Sequence, residues 1–293
     1  EEFTIPAAMS IVSNAIIILY YLFLNDTFGI EGLTIAFLIG WLMQAVIQVP
    51  ALHKKGYHYR FNFHFKEEGM KKIVLLMLPV MVSTWIQPIN FVINTKFASH
   101  IRFPGYPEAA ISTIDYANTL YTIIVGVLVL SISNVIFPKM SRMTSNHAEK
   151  DFGETICITL RSMLFLLIPM MLGLMVLSEP IVKLMYERGN FDSFATQTTA
   201  RALFFFSLGM VGFGIQNILS RAFYAKQDGK TPFYSGLVSI AANIIFCFLL
   251  VDKMDVGGLA LASAISSSLS ALFLLVPLQK EYKNLIAKQN LTD

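Results

Sequence analysis

Charged residues are scarce in this chain of 293 residues. Asp, Glu, Lys and Arg make up only 14% of it, whereas soluble domains carry about 25%. The hydrophobic fraction is 55% and the mean hydropathy is +0.61. The formal net charge of +3 is too small, and too widely scattered, for a nucleic-acid-binding protein. These values indicate an integral membrane protein.

The chain is also poor in residues that build redox, metal or catalytic sites. Its two cysteines, Cys157 and Cys247, lie within apolar stretches, so we expect two buried thiols and no disulfide. Its five histidines are scattered without the spacing of metal ligands. We therefore expect no metal, no cofactor and no catalytic residue.

Long apolar runs dominate the sequence. A helix needs about 20 apolar residues to cross a bilayer, and eight runs meet this requirement. They are residues 5–24, 30–52, 73–98, 110–137, 155–177, 200–223, 232–251 and 256–277. We predict an all-α integral membrane protein with eight transmembrane helices. Between the fifth and sixth, Glu179 and Pro180 predict the start of a short interfacial helix.

Loop charges predict the orientation of these helices. Six Lys and Arg residues lie within residues 53–72, and three lie in each of 139–151, 221–230 and the tail from Lys280. The intervening loops together hold only Arg102, Lys183, Arg188 and Lys253. Basic loops face the cytoplasm, so we predict a multi-pass protein with both chain ends cytoplasmic.

One part of the chain repeats another. Residues 5–54 align with residues 231–280 without a gap, at a constant offset of 226. The identical pairs include Pro6 and Pro232, Ser13 and Ser239, Asp26 and Asp252, Gly32 and Gly258, and Lys54 and Lys280. Each copy reads as two apolar helices joined by a short acidic turn. Two copies in the same orientation predict two lobes related by an axis along the membrane normal.

The repeat also predicts the domain organisation. Residues 1–54 would end a first lobe with two transmembrane helices, and residues 73–280 would form a second lobe with six. Residues 55–72 would be a basic cytoplasmic linker with a short amphipathic helix, and residues 281–293 a cytoplasmic tail. The first copy would need further helices ahead of Glu1, so we expect missing N-terminal helices of the same polypeptide as a partner.

Neutral polar side chains within the apolar spans predict a cavity. Those of the third span recur at spacings of three and four, which places them on one helical face, and others follow in the fourth span. Hydrogen bonding between close-packed helices is the alternative interpretation. The predicted lining of a substrate cavity is Gln87, Asn90, Asn94, Asn118, Thr119 and Thr122.

Five short stretches carry a more specific signal. They are residues 93–99 (INTKFAS), 115–118 (DYAN), 137–141 (FPKMS), 186–192 (YERGNFD) and 221–232 (RAFYAKQDGKTP). These stretches resemble the MurJ/MviN family of lipid II flippases, and the last two are the most specific. The family belongs to the MOP superfamily, which also contains MATE antiporters and polysaccharide flippases. The resemblance extends over essentially the whole chain.

The resemblance implies a fold and an activity. This chain would hold the fifth to the twelfth helix of a longer transporter. The activity would be translocation of lipid II, an undecaprenyl-diphosphate-linked disaccharide-pentapeptide, from the inner to the outer leaflet by alternating access. Lipid II and membrane lipids would be the partners, and nucleic acid would not. A flippase is needed because desolvating the charged headgroup in hydrocarbon is too costly.

Two departures from the family pattern bear on the mechanism. Many members carry Arg and Glu where this chain has Thr119 and Thr122, and a hydroxyl is a weaker partner for diphosphate than a guanidinium fork. The positions that resemble the sodium ligands of some members hold Asn94, Asn243, Cys247 and Ser263. Because Na⁺ prefers anionic oxygen, we interpret this set as the remnant of an ion site.

These lost charges leave other functions open. The substrate could be another lipid-linked cell-surface polysaccharide, such as teichoic acid, capsule or O-antigen. A MATE-like cation-coupled exporter would need an acidic residue deep in the second lobe, which is missing. A non-transporting scaffold would tolerate replacement of the polar face by leucine. A membrane-embedded glycosyl- or acyltransferase would need an acid–base or metal site, and the loops offer no such constellation.

Overall fold

The structure, a computed structural model, describes residues 4–54, 56, 69–70, 85–106, 109–146 and 148–281. The chain divides into two compact units, Glu1–Glu67 and Glu68–Asp293. The predicted basic linker with its amphipathic helix lies almost wholly outside the described residues, as do most of the predicted tail and the first part of the third predicted span.

The first unit contains a helical hairpin. Its helices are α1 (Thr4–Phe23) and α2 (Asn25–Val46), followed by the short α3 (Val49–Lys54). The backbone of α2 is broken at Gly29, where φ is 52° and ψ is −143°, a conformation that glycine adopts because it has no Cβ. The two helices of the hairpin pack closely. A Cβ added to Gly40 of α2 would lie 3.4 Å from the Cβ of Ser13 of α1.

The second unit is also helical. Its helices are α4 (Ile86–Ala98), α5 (Ala109–Ser145), α6 (Glu149–Val176), α7 (Ser178–Tyr186), α8 (Ser193–Leu208), α9 (Met210–Ala225) and α10 (Lys230–Glu281). Apart from an isolated bridge between Phe103 and Tyr106, the described ranges contain no β-structure. The prediction of an all-α fold is confirmed for them.

The core of the second unit forms where α6, α8 and α9 meet. Met163 and Leu167 of α6 are fully buried there, together with Leu203 of α8 and Ile218 of α9. Large apolar side chains on the same helices also point outward, and Phe165 is 78% exposed. Helices that are apolar on their inner and outer faces are typical of membrane spans.

The predicted interfacial helix is present as α7. Pro180 lies in its first turn, where a missing backbone N–H leaves no hydrogen bond unmade. Val182 is fully buried, whereas Leu184 is 84% exposed. One face of α7 therefore packs on the protein and the other presents apolar surface, as amphipathic helices at a membrane interface do.

A capped turn connects α7 to α8. The Asp192 carboxylate accepts a hydrogen bond from the Tyr106 hydroxyl and another, at 2.9 Å, from the backbone N–H of Ala195. These two hydrogen bonds favour the ionised form and hold the pKa of Asp192 below its usual range. The carboxylate thereby satisfies one of the free N–H groups at the start of α8.

The sixth predicted span is divided into two helices. α8 and α9 meet at Gly209 with a bend of 46°. A Cβ on Gly209 would lie 2.7 Å from the Cα of Ala264, and one on Gly212 would lie 2.6 Å from the Oγ of Ser268. The bend falls in the cluster of Gly209, Gly212 and Gly214, where α9 packs closely against α10, and the bent pair is compatible with one span.

The seventh and eighth predicted spans are the two arms of α10. Asp255 separates them with φ of 51° and ψ of −130°. Ser235 of the first arm donates a hydrogen bond to the carbonyl of Ser270 in the second, at 3.0 Å, so the arms run antiparallel. Asp255 follows Gly29 by 226 residues, the offset of the sequence repeat, and both residues adopt nearly the same backbone angles.

The number of membrane crossings is only partly visible. Within the described ranges, four helices are long and apolar enough to span a membrane, or five if the bent α8–α9 pair is one span. α10 is counted as one helix here, although its backbone reverses direction at Asp255. In addition, the first part of the third predicted span lies outside the described residues. The total of eight crossings stays a prediction.

Candidate functional site

A cavity of about 470 Å³ lies within the second unit. It is enclosed by α4, α5, α8, α9 and both arms of α10. Its polar wall residues are Gln87, Asn90, Asn94, Asn118, Thr122, Gln216, Ser239, Ser263, Ser266 and Ser267. The described wall contains no charged side chain, so amides and hydroxyls alone determine its polarity.

One wall of the cavity is a polar seam between α4 and the first arm of α10. Asn90 donates through Nδ2 to the Oγ of Ser239 at 3.1 Å. One turn further along both helices, Asn243 donates through Nδ2 to the Oδ1 of Asn94 at 3.0 Å. The two helices therefore run parallel, and the face predicted from the α4 spacing is the face that meets α10.

Asn94 lies at a junction of three helical segments. Its Nδ2 donates to the Oγ of Ser263 on the second arm of α10 at 2.7 Å. Its Oδ1 accepts from Asn243 and, at 3.5 Å, from the thiol of Cys247. Asn243 and Cys247 are fully buried, and Asn94 is 4% exposed. The four residues of the predicted ion-site remnant thus form one uncharged network.

Asn90 carries an unused acceptor. Its Oδ1 is buried and has no hydrogen-bond partner among the described residues, while its Nδ2 is bonded to Ser239. Leaving a buried acceptor unsatisfied costs about 1–3 kcal/mol. Buried polar groups without partners are rare in native proteins, so this oxygen is a position at which a ligand or water donor would be stabilised.

Five of the six predicted cavity residues line this one cavity. Among them, Asn118 and Thr122 lie one turn apart on α5. Thr119 is exposed and does not line it, because one residue along a helix turns the side chain by about 100°. Thr119 instead lies on the exposed face of α5 beside the cavity.

The set predicted from the sequence left out several residues of the cavity lining, among them Tyr121, Phe206, Phe213 and Gln216. Tyr121 stacks on Phe206 with ring centroids 5.7 Å apart, and it meets the edge of Phe213 at 6.2 Å. Gln216 follows Phe213 on α9, and both line the cavity. The amide of Gln216, next to that of Asn217 in an otherwise apolar helix, was a usable signal. The aromatic rings were not, because sequence alone does not distinguish a cavity-facing ring from a lipid-facing one.

Charged residues cluster at one end of the second unit. The Arg221 guanidinium lies over the Phe137 ring at 5.7 Å, and the Lys226 ammonium lies over the Phe152 ring at 5.4 Å. Asp228 lies two residues before α10, and its carboxylate accepts a hydrogen bond from the backbone N–H of Lys230, the first residue of that helix, at 2.9 Å. In the described part of the chain, no group of His, Cys, Asp or Glu could hold a metal ion.

Sequence comparison relates the chain to flippases. A family model described as lipid II flippase MurJ matches residues 1–292. A probable lipid II flippase MurJ of Vibrio cholerae is 29% identical over 271 residues, covering 92% of this chain and 51% of the relative. Its counterpart in Rickettsia prowazekii is 30% identical over 257 residues, covering 88% and 50%. The chain spans about half the length of these curated relatives.

Structural comparison gives the same relation. A solved structure described as lipid II flippase MurJ in an inward closed conformation matches with a TM-score of 0.77 and 28% identity, covering 96% of this chain and 58% of that one. A MATE transporter of Vibrio cholerae matches with a TM-score of 0.67 and 16% identity, covering 96% and 63%. At that identity the MATE match concerns the fold alone.

Proposed function

The chain belongs to the lipid II flippase MurJ family, and we propose that the protein moves lipid II from the inner to the outer leaflet of the bacterial plasma membrane. The match of the family model to residues 1–292 carries this proposal. The polar cavity within an otherwise apolar helical unit supports it, because a hydrophilic headgroup needs hydrogen-bonding partners while it crosses hydrocarbon.

The transport cycle would be alternating access between two lobes that cross the membrane eight times in this chain. Residues 1–54 would end the first lobe and residues 73–280 would form the second. The backbone breaks at Gly29 and Asp255, which are related by the repeat offset, support a duplicated hairpin. In such transporters the substrate lies between repeats and the lobes rock around it.

Both ends of the chain would be cytoplasmic. The basic residues Arg221 and Lys226 contact rings of α5 and α6 at a common end of the second unit. Lys139 and Arg142 belong to the same end, because they follow Phe137 in the last turns of α5. Clustered Lys and Arg favour the cytoplasmic side of a bacterial membrane protein.

Substrate contacts would come from Gln87, Asn90, Asn94, Asn118, Thr119 and Thr122. Five of these line the cavity, and Thr119 would contact the substrate from the exposed face of α5. Asn94 would also act with Asn243, Cys247 and Ser263 as an uncharged junction, since two donors already occupy its Oδ1. This junction would hold α4 to both arms of α10.

The test is depletion of the protein in its bacterial host. Lipid II that reaches the outer leaflet is measured with an externally added probe. We expect its exposure to fall on depletion, and to be restored by the wild-type protein and by Asn217→Leu. Among the described residues, Asn217 bonds to the carbonyl of Phe213 in its own helix and is not part of the cavity lining. Unchanged exposure would refute the proposal.

A double variant separates a flippase from a scaffold. Gln87→Leu combined with Asn118→Leu removes two amides of the cavity lining, one from α4 and one from α5. A flippase should lose export while the protein still accumulates in the membrane, because the headgroup loses hydrogen-bond partners. A scaffold should complement normally.

A flippase for a different lipid-linked glycan is the second candidate. Thr119 and Thr122 favour it, because they stand at positions where many members that resemble this chain carry Arg and Glu. Identifying the undecaprenyl-linked glycan that accumulates in the inner leaflet on depletion distinguishes the two. Accumulation of lipid II supports the first candidate, and accumulation of another glycan supports the second.

A further inference from the structure

One of the two most specific sequence stretches, residues 186–192 (YERGNFD), has no role in the cavity described above. It forms the turn at which α7 ends and after which α8 begins, and we call it the corner. Its residues are not part of the cavity lining that the structure describes. They contact instead the two segments that lead into the cavity-lining helices at this end of the unit. The corner therefore has a structural role of its own.

The segment between α4 and α5 is attached to this corner. We call its described part, residues 99–106, the strap. The Tyr106 hydroxyl donates a hydrogen bond to the Asp192 carboxylate. The Tyr106 ring stacks on the ring of Phe194, in the first turn of α8, with centroids 4.6 Å apart, and Phe103 meets the same ring edge-on at 5.4 Å. The corner and the start of α8 thus hold the segment that joins α4 to α5.

The corner also contacts α5 itself. Tyr116 packs on the rings of Tyr186 and Phe191, with centroids 4.8 and 5.3 Å away. Tyr116 belongs to the DYAN stretch, so two of the stretches that carry the family resemblance contact each other. Asn118, two residues further along α5, lines the cavity. The corner therefore contacts α5 beside the cavity and, through the strap, the end of α4.

These contacts lie at the outer end of the second unit in the proposed orientation. α5 begins at Ala109, next to the strap, and reaches Phe137 in its last turns, where Arg221 lies over the ring. That basic end is the proposed cytoplasmic end. The corner, the strap and the start of α5 are therefore at the opposite end, where the cavity would open to the outer side.

The contacts between strap and corner can open without unfolding the core. Tyr106 is 42% exposed and Tyr116 is 39% exposed, whereas the core side chains are fully buried. Segments that move in proteins are held by exposed contacts of this kind. The strap and the corner each contain a glycine at positive φ, Gly105 at 80° and Gly189 at 60°, with open space around the Cβ position. Such residues can absorb the changes in backbone angles at a hinge.

We propose that the strap and the corner form a latch at the outer end of the cavity, which is closed in this structure and opens when the cavity becomes accessible from the outer side. Release of Tyr106 from Asp192 and Phe194 frees the segment between α4 and α5, so that the outer ends of these two cavity-lining helices can separate. The inference rests on the proposed function, because alternating access requires the outer end to open in each cycle.

The test fixes the latch in its closed state. Tyr106→Cys combined with Phe194→Cys places two thiols at the stacked rings, and Tyr106→Cys combined with Asp192→Cys places them at the hydrogen bond. A short, reversible bis-thiosulfonate reagent is added to spheroplasts, crosslinking is verified by mass, and outer-leaflet lipid II is measured with the external probe. We expect export in both untreated variants, its loss on crosslinking and its recovery after reduction.

Two controls isolate the latch from other effects of the reagent. Ser193→Cys combined with Gln197→Cys bridges exposed positions one turn apart on α8, and this variant should export lipid II with and without the reagent. The wild-type protein, which has only Cys157 and Cys247, should also be unaffected by the reagent.

Unchanged export by the crosslinked pairs would overturn the inference and leave the flippase proposal in place. Loss of export in both untreated pairs, while the proteins still accumulate in the membrane, would also overturn it, because the corner would then be a fixed brace. If the wild-type protein does not restore export to depleted cells, the proposed function fails, and the inference fails with it.

Discussion

The two copies of the sequence repeat have the same backbone plan and different chemistry. In the α1–α2 hairpin the chain breaks at Gly29, and in α10 it breaks at the equivalent Asp255, with φ values of 52° and 51°. The aligned glycines Gly32 and Gly258 each follow the break by three residues and lie against the preceding helix of their own hairpin. The turn geometry is therefore common to both copies.

The side chains on the arms differ. The polar residues Asn243, Cys247 and Ser263 of the second copy correspond to Ile17, Tyr21 and Phe37 of the first. In the second copy, Asn243 and Ser263 hydrogen-bond to Asn94. The turn therefore determines the shape of each hairpin, whereas the side chains at a few positions on the arms determine whether the hairpin contributes a polar wall.

The largest expected effect on stability comes from adding a methyl group at Gly32 or Gly258, the aligned glycines that pack against the preceding helix. A Cβ at residue 258 would lie 2.5 Å from the carbonyl oxygen of Leu250, and one at residue 32 would meet the Tyr20 hydroxyl. Overpacking should make Gly258→Ala and Gly32→Ala less stable by up to about 3 kcal/mol. Thermal unfolding of the purified protein in one detergent measures this.

A matched glycine provides the control. Gly173 of α6 has open space around its Cβ position, so Gly173→Ala should be neutral or stabilising by up to about 1 kcal/mol. If Gly32→Ala or Gly258→Ala is as stable as Gly173→Ala, the two turns do not share this packing.

The next largest effect on stability is expected when a polar residue of the second copy is replaced by the apolar residue at the aligned position of the first copy. Asn243→Ile, which copies Ile17, removes a donor to Asn94 at a fully buried position. We expect a loss of about 1–3 kcal/mol, measured by the same unfolding experiment, and a smaller loss for Asn217→Leu. A stable Asn243→Ile variant would show that the junction does not stabilise the unit.

The aligned serines provide a smaller contrast. Ser239 accepts the hydrogen bond of Asn90, so Ser239→Ala should lower stability by about 1 kcal/mol. Ser13 donates only to the Ser10 carbonyl of its own helix, at 3.2 Å, and Ser13→Ala should stay within about 0.5 kcal/mol. Equal unfolding midpoints for the two variants would remove the functional distinction between the copies at this position.

The smallest expected effect is an increase in stability. Asp255 adopts a positive φ that favours glycine, whereas the first copy has Gly29 there. Asp255→Gly should stabilise the protein by up to about 1 kcal/mol because it relieves the backbone strain. A lowered unfolding midpoint would contradict this and would mean that the Asp255 side chain stabilises the turn.

Much of this fold could be predicted from the sequence. Apolar runs give the helices because hydrocarbon demands that backbone groups bond within a segment, and the repeat indicated two equivalent hairpins. The cluster of Gly209, Gly212 and Gly214 indicated a place where the sixth span could bend, but not the position or angle of the bend. The bend depends on contact with Ala264, a residue distant in sequence.

The candidate site shows the same limit. The spacing of Gln87, Asn90 and Asn94 was sufficient to predict their common face, because it follows from helix geometry alone. Thr119 was included with its neighbour Asn118, but one residue separates a cavity-facing position from an exposed one. Rotation of a helix about its axis is set by tertiary packing, so sequence alone does not determine it.

The central claim is that the cavity of the second unit receives the lipid II headgroup. The most direct measurement is photocrosslinking in cells, with a photoreactive side chain at Thr122, which lines the cavity, or at its neighbour Ile123, which is 56% exposed. The adducts are identified by mass. We predict a lipid II adduct at position 122 and only phospholipid adducts at position 123. Lipid II captured equally at both positions, or never at 122, would contradict the claim.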